Sequence, residues 1–206
     1  MGITERKLRQ RKAIRSNILK TAIDIAKNEG WKSVSIRKIA EKIEYSTPVI
    51  YEHFASKEAL LQELEQEGFR LMRVKLIRVK EQEKDAQELV QKLAMTYWNF
   101  AWEHIYFYQV MFGLNGNGSC HTEKRMDAPP DYAVETINIM TEALHQLNKN
   151  IDQKEIVLNW FALTHGFIAL AMNQKIVLSQ EAVTTMYQRA IQRFTKGVRD
   201  ENVLTI

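Results

Sequence analysis

Apolar residues return every three or four positions through most of this chain and almost nowhere every second position. Ile14, Ile18, Ala22, Ile25 and Ala26 share one face of a helix expected from about Glu5 to Glu29, where Gly30 offers a left-handed stop. Trp31 and Val34 follow as cover for a small core. Ser35 caps a short helix that carries Ile36, Ile39, Ala40 and Ile43 on one side. Glu44-Tyr45-Ser46 breaks the pattern. Ser46 then caps a second short helix, where Pro48 is tolerated because first-turn amides have no partner to lose. Ile50 and Phe54, four apart, pack back on the first short helix and leave Arg37, Thr47, Pro48, Val49, Tyr51 and His53 outward. Ser56 caps a long helix reaching about Lys80, with Leu60, Leu61, Leu64, Phe69, Met72 and Leu76 inward and a bend expected at Gly68.

The second half of the chain repeats this logic with larger side chains. Asp85 and Glu88 form a capping box that opens the next helix. Eight aromatic residues then fall between Tyr97 and Phe112, so this helix or helix pair is apolar nearly all round and needs cover on every side. Residues 113–130 hold Gly113, Gly116, Gly118 and two of the three prolines, which marks the one long loop. A helix is expected from Asp131 to Asn150, with Val134, Ile137, Met140, Ala143, Leu144 and Leu147 inward. Another follows from a capping box at Asp152 to about Lys175. Ser179 caps the last helix, whose stripe is Val183, Met186, Tyr187, Ala190, Ile191 and Phe194 and whose stop is Gly197.

Charge and composition narrow the function. The chain has 206 residues, 45% hydrophobic and 26% charged. Residues 1–60 carry 13 Lys and Arg against 7 Asp and Glu, and the remainder 16 against 18. A basic N-terminal module on a slightly acidic body suits phosphate contact by one end only. Arg6, Lys7, Arg9, Arg11, Lys12 and Arg15 read either as a solvated helix start or as a fraying arm that follows a DNA backbone or enters a minor groove. A single cysteine excludes an intramolecular disulfide. No apolar run of about 18 residues and no signal-peptide pattern stand out, so the expected location is cytoplasmic, with no membrane partner. Cys120-His121 lacks a second ligand pair, and Glu142-x-x-His145 occurs once where di-iron bundles need it twice, so no metal and no cofactor are expected.

Two short helices with a tight turn and a basic, hydroxylic outer face describe a helix-turn-helix, the plain alternative being an ordinary helical hairpin. Residues 35–61 resemble the DNA-binding segment of the TetR (tetracycline repressor) family. Arg37, Ile39, Ala40, Ser46, Tyr51, His53, Phe54, Lys57 and Leu60 stand at the places of that family's signature. Glu44 replaces its turn glycine and is therefore expected in a left-handed conformation. Asn159-Trp160 to His165-Gly166 is similar to a TetR subgroup recognised by W-x-x-x-H-G, with Trp160 one place earlier.

That resemblance implies an all-α chain with a three-helix DNA-binding domain over residues 1–56 and a helical ligand-binding and dimerisation domain over 57–206. It implies a regulator, repressor by the family's habit, that binds a palindromic double-stranded operator as a homodimer and is released by a small lipophilic or aromatic effector. Carried over residue by residue, Arg37, Ser46, Thr47, Pro48, Val49, Tyr51, His53 and Lys57 belong to the DNA site. The aromatic stretch and its neighbours nominate Tyr97, Phe100, Trp102, His104, Tyr108, Met111, Trp160 and His165 for the effector. Ala162, Gly166 and Ala169 permit close helix approach and, with Val183, Met186, Tyr187 and Ala190, are assigned to the dimer interface. Two other classes compete with this reading: a ligand-independent DNA-binding protein, and an all-helical enzyme. The second needs paired carboxylates, a metal cluster or an activated nucleophile, and no such constellation stands in the sequence.

Overall fold

The computed structural model describes residues 3–114, 131–173 and 178–201, and among them all regular structure is helical. The elements are α1 (Ile3–Glu29), a 3-10 turn (Trp31–Ser33), α2 (Ile36–Lys42), α3 (Thr47–Tyr51), α4 (Lys57–Gln82), α5 (Ala86–Glu103), α6 (Ile105–Met111), α7 (Asp131–Leu147), α8 (Gln153–Met172) and α9 (Gln180–Asp200). The Cys120-His121 pair, most of the glycine and proline loop and the end of the helix expected to reach Lys175 lie outside the described residues.

The chain forms two compact units, Met1–Gly68 with Tyr106–Met126, and Phe69–Ile105 with Asp127–Ile206. In the first, Ile18, Ala22 and Ile25 of α1 meet Ile36, Ile39 and Ala40 of α2, Ile50 and Phe54 around α3, and Leu60, Leu61 and Leu64 of α4. Trp31 closes this core and donates its indole N–H to Gln109 Oε1 of α6 at 3.0 Å, while Val110 of α6 enters the same cluster. Gly68, where the sequence suggests a bend, lies within the continuous helix α4. A Cβ there would stand 2.6 Å from Met111 Sδ, so the glycine is a place of close approach between α4 and α6.

Helix ends follow the sequence in most places. Ser35, Ser56, Asp85, Asp152 and Ser179 each accept hydrogen bonds from first-turn amides. Ser46 occupies the N-cap position of α3 with extended backbone but makes no capping hydrogen bond from its side chain. The basic start of the chain is helical from Ile3, close to the expected start at Glu5, and one end differs from expectation: α9 passes through Gly197 to Asp200. A glycine with helical neighbours on both sides lowers propensity without stopping a helix whose opposite face is packed.

In the second unit, α5 packs against α7, α8 and α9. Tyr187 of α9 sits at the centre, fully buried and stacked on Trp98 at 4.7 Å between ring centroids. Burial drives its phenol pKa upward, so it stays protonated and can donate to the Ala94 carbonyl at 3.1 Å. The buried Thr164 hydroxyl of α8 lies 3.1 Å from the same oxygen and completes a tie among three helices. By contrast α8 buries only Ile156, Trp160, Thr164 and Ile168, one residue per turn. An 18-residue window of it reaches a mean hydropathy of 1.4, long and apolar enough to cross a membrane by length and composition, where the sequence reading saw no such run. Within the protomer, that apolarity leaves faces such as Leu158 uncovered.

Replacing Tyr187 by Phe keeps the ring stack, removes the second hydrogen bond to the Ala94 carbonyl and takes the phenol from the Thr164 hydroxyl. The expected cost is ~1–2 kcal/mol, seen by calorimetry as a melting temperature lower by a few degrees. An unchanged melting temperature would remove the tie from the account.

Candidate nucleic-acid interface

The helix-turn-helix is built by backbone chemistry that the sequence makes necessary. Glu44 adopts φ +59°, the sole non-glycine residue with positive φ among those described. The amide of Tyr45 reaches the Ala40 carbonyl at 3.0 Å and that of Glu44 reaches Glu41 at 3.3 Å. This pair of bonds is the left-handed C-terminal closure normally given to glycine. A non-glycine residue tolerates it at modest cost.

α3 is only five residues long, and its position is imposed from behind. Ile50 and Phe54 are buried, and Arg15 of α1 holds the end of the segment. Its guanidinium donates to the His53 carbonyl at 2.5 Å, forks onto both carboxylate oxygens of Glu63 in α4, and lies 4.2 Å from the Phe54 ring centroid. On the other side, Lys38 and Lys42 of α2 pair with Glu29 at the end of α1, and Lys38 holds the Glu29 carboxyl below its ordinary pKa.

With those anchors behind it, one face is left to solvent. Arg37, Ser46, Pro48 and Tyr51 are exposed, Tyr51 by 54%, and Thr47, Val49, His53 and Lys57 are half-buried. All eight sequence-nominated residues therefore lie on or beside α2, α3 and the start of α4, in the first unit. Burial, with Arg11 and Arg15 next in weight, lowers the His53 pKa, so at neutral pH the imidazole is uncharged. The face offers a guanidinium, hydroxyls, small apolar groups and an ammonium. That set can hydrogen-bond base edges and pair with phosphates, and it contains no nucleophile with an adjacent base.

The other nominated residues are divided. Tyr97, Phe100, Trp102, His104, Trp160 and His165 are in the second unit, while Tyr108 and Met111 belong to the first. Tyr97 and Trp160 meet edge to face at 5.4 Å, and His165 stacks on Phe161 at 5.3 Å. The indole nitrogens of Trp102 and Trp160 and the hydroxyl of Thr136 are buried with no hydrogen-bond partner among the described residues. Burial lowers the pKa of His165 and, with Lys75 next in weight, that of His104, which disfavours their charged forms. Of the interface residues, Val183 and Tyr187 are turned into their own unit. Ala162 and Met186 are exposed, and Gly166, Ala169 and Ala190 are half-buried. Helical period located the stripe on α9 but could not tell its inner edge from its outer one. Among the described residues, no group of three His, Cys, Asp or Glu side chains is placed to hold a metal ion.

Residues 18–64 match the family profile described as bacterial regulatory proteins, tetR family, and residues 90–194 match a tetracyclin repressor-like C-terminal domain. No curated protein matches the chain at significance. Among solved structures, a protein of unknown function from Rhodococcus sp. RHA1 superposes with a TM-score of 0.71 at 23% identity, covering 89% of this chain and 94% of its own. The fatty acid degradation regulator FadR of Bacillus halodurans gives 0.65 at 14%, covering 93% and 96%. The ketosteroid transcriptional regulator KstR2 of Mycobacterium tuberculosis gives 0.61 at 17%, covering 91% and 95%. These likenesses establish a shared fold, and the two profiles, which together span most of the sequence, establish descent: the chain belongs to the tetR family of DNA-binding bacterial transcriptional regulators.

Proposed function

We propose that this protein is a ligand-responsive repressor that binds a palindromic operator as a homodimer and leaves it when a small lipophilic effector binds. The observation that carries the DNA part is the solvent face of the helix-turn-helix, held rigidly by Arg15, Ile50 and Phe54. Arg37 reads a guanine edge, Thr47 offers a hydroxyl, and Pro48 and Val49 meet a thymine methyl. Ser46, Tyr51, His53 and Lys57 meet phosphates and fix the register. Binding selection on random duplexes is expected to return a palindrome of roughly 14–20 base pairs, with half-sites one helical turn apart. Sequence-blind recovery would reject the operator reading. On the selected site, Arg37→Ala is expected to cost ~1–3 kcal/mol and relax one base position. Lys57→Ala is expected to weaken all sequences alike and lower the salt slope by about 0.9 per protomer.

The uncovered side of α8 supports the dimer. Leu158 is 64% exposed, Leu170 and Met186 are each 50% exposed, and the small residues Ala162, Gly166 and Ala169 let a partner helix approach closely. In a homodimer the last two helices of each protomer pair across a two-fold axis. Glutamates at both Leu158 and Met186 are expected to convert the dimer to monomer in sedimentation and to remove tight operator binding. A dimer that survives both substitutions would move the interface elsewhere.

The second unit's interior supports the effector. Buried indole donors at Trp102 and Trp160 and the Thr136 hydroxyl, set among rings, suit an apolar molecule bearing an oxygen acceptor. The functions named for FadR and KstR2, fatty acid degradation and ketosteroid regulation, point to the same class. The effector favours a dimer whose recognition helices are wrongly spaced for DNA. A long-chain fatty acid and a steroid ketone are the first probes. One of them is expected to raise the melting temperature and weaken operator binding, with Trp160→Phe blunting both effects. Stabilisation with unchanged operator affinity would separate binding from regulation and reject the allosteric reading.

A further inference from the structure

We infer that Arg73 of α4 is the anion-binding end of the effector site, so that the effector is an amphiphile with a carboxylate head and an apolar body. The inference rests on the second unit being an effector domain, and it names the polar group such a molecule carries.

Inside the second unit α7 packs closely along α5 and α8, whereas α4 reaches it through long side chains. Phe69 meets Tyr132 at 5.6 Å between ring centroids, Arg73 pairs with Glu135, and Lys80 pairs with Glu142. These bridges recur at nearly the same offset along both helices, so α4 and α7 run side by side in one direction there. Leu76 and Ile139, at the levels between the second bridge and the third, are buried.

The middle bridge is the unusual one. Lys75 and Lys80 also pair with glutamates, Glu103 and Glu142, and neither leaves a buried nitrogen unpaired. Arg73 gives Nη1 to Glu135, while its Nε is buried and has no hydrogen-bond partner among the described residues. A guanidinium does not lose its proton in a protein, so a fixed positive charge stands here with an unused N–H. Glu135 leaves that edge unserved, since its side chain is 58% exposed and holds a different nitrogen.

The next residue, Thr136, is buried, and its hydroxyl has no partner among the described residues either. Thr96, Thr141, Thr184, Thr185 and Thr195 each return theirs to the carbonyl four residues earlier in the helix. Thr136 does not take this internal acceptor, although its helix offers one. A charged donor and a hydroxyl are thus left over on the inner side of one ion pair.

A carboxylate is the group that answers both. It accepts from a guanidinium edge through charge-assisted bonds, which are stronger than those to a neutral ketone or ester. Burial disfavours the charged forms of His104 and His165, so the anion falls to Arg73. The way in suits an amphiphile, because Ile77, one turn after Arg73, and Ile137, beside Thr136, are both exposed apolar residues. Glu135 is the built-in competitor. A half-solvated ion pair is weak, so an entering carboxylate displaces Glu135 into water at little cost.

The test is calorimetric binding to the full chain at neutral pH of dodecanoate, phenylbutyrate and cholanate, each beside its methyl ester. For the wild type at least one acid is expected to bind about tenfold or more tightly than its ester. Arg73→Gln is expected to erase that advantage and leave the ester's affinity unchanged. Glu135→Gln removes the competing charge and is expected to tighten the acid, again with no change for the ester. Arg73→Lys keeps the charge without the planar fork and is expected to fall between wild type and Arg73→Gln. Arg73→Gln and Glu135→Gln break the same ion pair, so a merely structural pair would shift acid binding in one direction for both. That result overturns the inference, as does equal binding of acid and ester by the wild type, and both leave the effector reading standing. If no acid and no ester binds, the effector reading itself falls and takes this assignment with it.

Discussion

A five-residue helix cannot hold its own direction, and α3 takes its direction from one guanidinium. Isolated helices of this length are unstable in water, so the recognition face depends on what stands behind it. Arg15 supplies three of those supports at once: the His53 carbonyl, the Glu63 carboxylate and the face of Phe54. The pair with Glu63 is only partly buried, so its contribution to stability is about 1 kcal/mol or less. Its geometric contribution is larger. A planar fork fixes distance and angle together, which an ammonium on a flexible stem does not. Because α1, α3 and α4 meet in this residue, a shift of α4 against α1 cannot leave the recognition face where it was.

The two units solve the burial problem differently. The first has a small aliphatic core of isoleucines and leucines, edged by ion pairs such as Lys38 with Glu29. Its outer face is left polar, as DNA contact requires. The second is filled with rings, and rings bring polar atoms with them. Tyr187 satisfies its hydroxyl through Ala94 and Thr164, whereas the indoles of Trp102 and Trp160 stay unpaired. An unpaired buried donor is costly unless another molecule supplies the acceptor. The same reasoning applies outside: α8 carries more apolar surface than its own protomer covers. Among the described residues, indole N–H groups are thus left over inside the second unit and apolar surface on the outside of α8.

Much of this was legible in sequence because local chemistry left few choices. The isoleucine spacing of α1 and α2, the left-handed Glu44 and the serine and aspartate caps each follow from backbone geometry within a few residues. What escaped depended on distant partners. Period alone gives the face of α9, but only packing on α5 and α8 shows that Val183 and Tyr187 are inside while Met186 is outside. That Met111 presses against Gly68 is likewise invisible from local spacing.

The aromatic run from Tyr97 to Phe112 shows how function can hide in a continuous stretch. It reads as one apolar block, yet the break at His104, with φ −126° and ψ 46°, divides it between two cores. Trp98 and Phe100 on one side are buried in the second unit. Beyond the break, Val110 packs into the first unit, Gln109 receives the Trp31 indole N–H, and the Tyr106 hydroxyl lies 3.4 Å from the Lys27 carbonyl. α6 is therefore fastened to the end of α1, the helix that holds α3 through Arg15. Among the described residues the chain passes between the units within α4 and again at this corner. Glu63 and Gly68 lie on the first passage, Gln109 and Met111 just beyond the second, and Gly68 touches Met111. Within the first unit, the close approach of Gly68 and Met111 therefore ties α4 to α6.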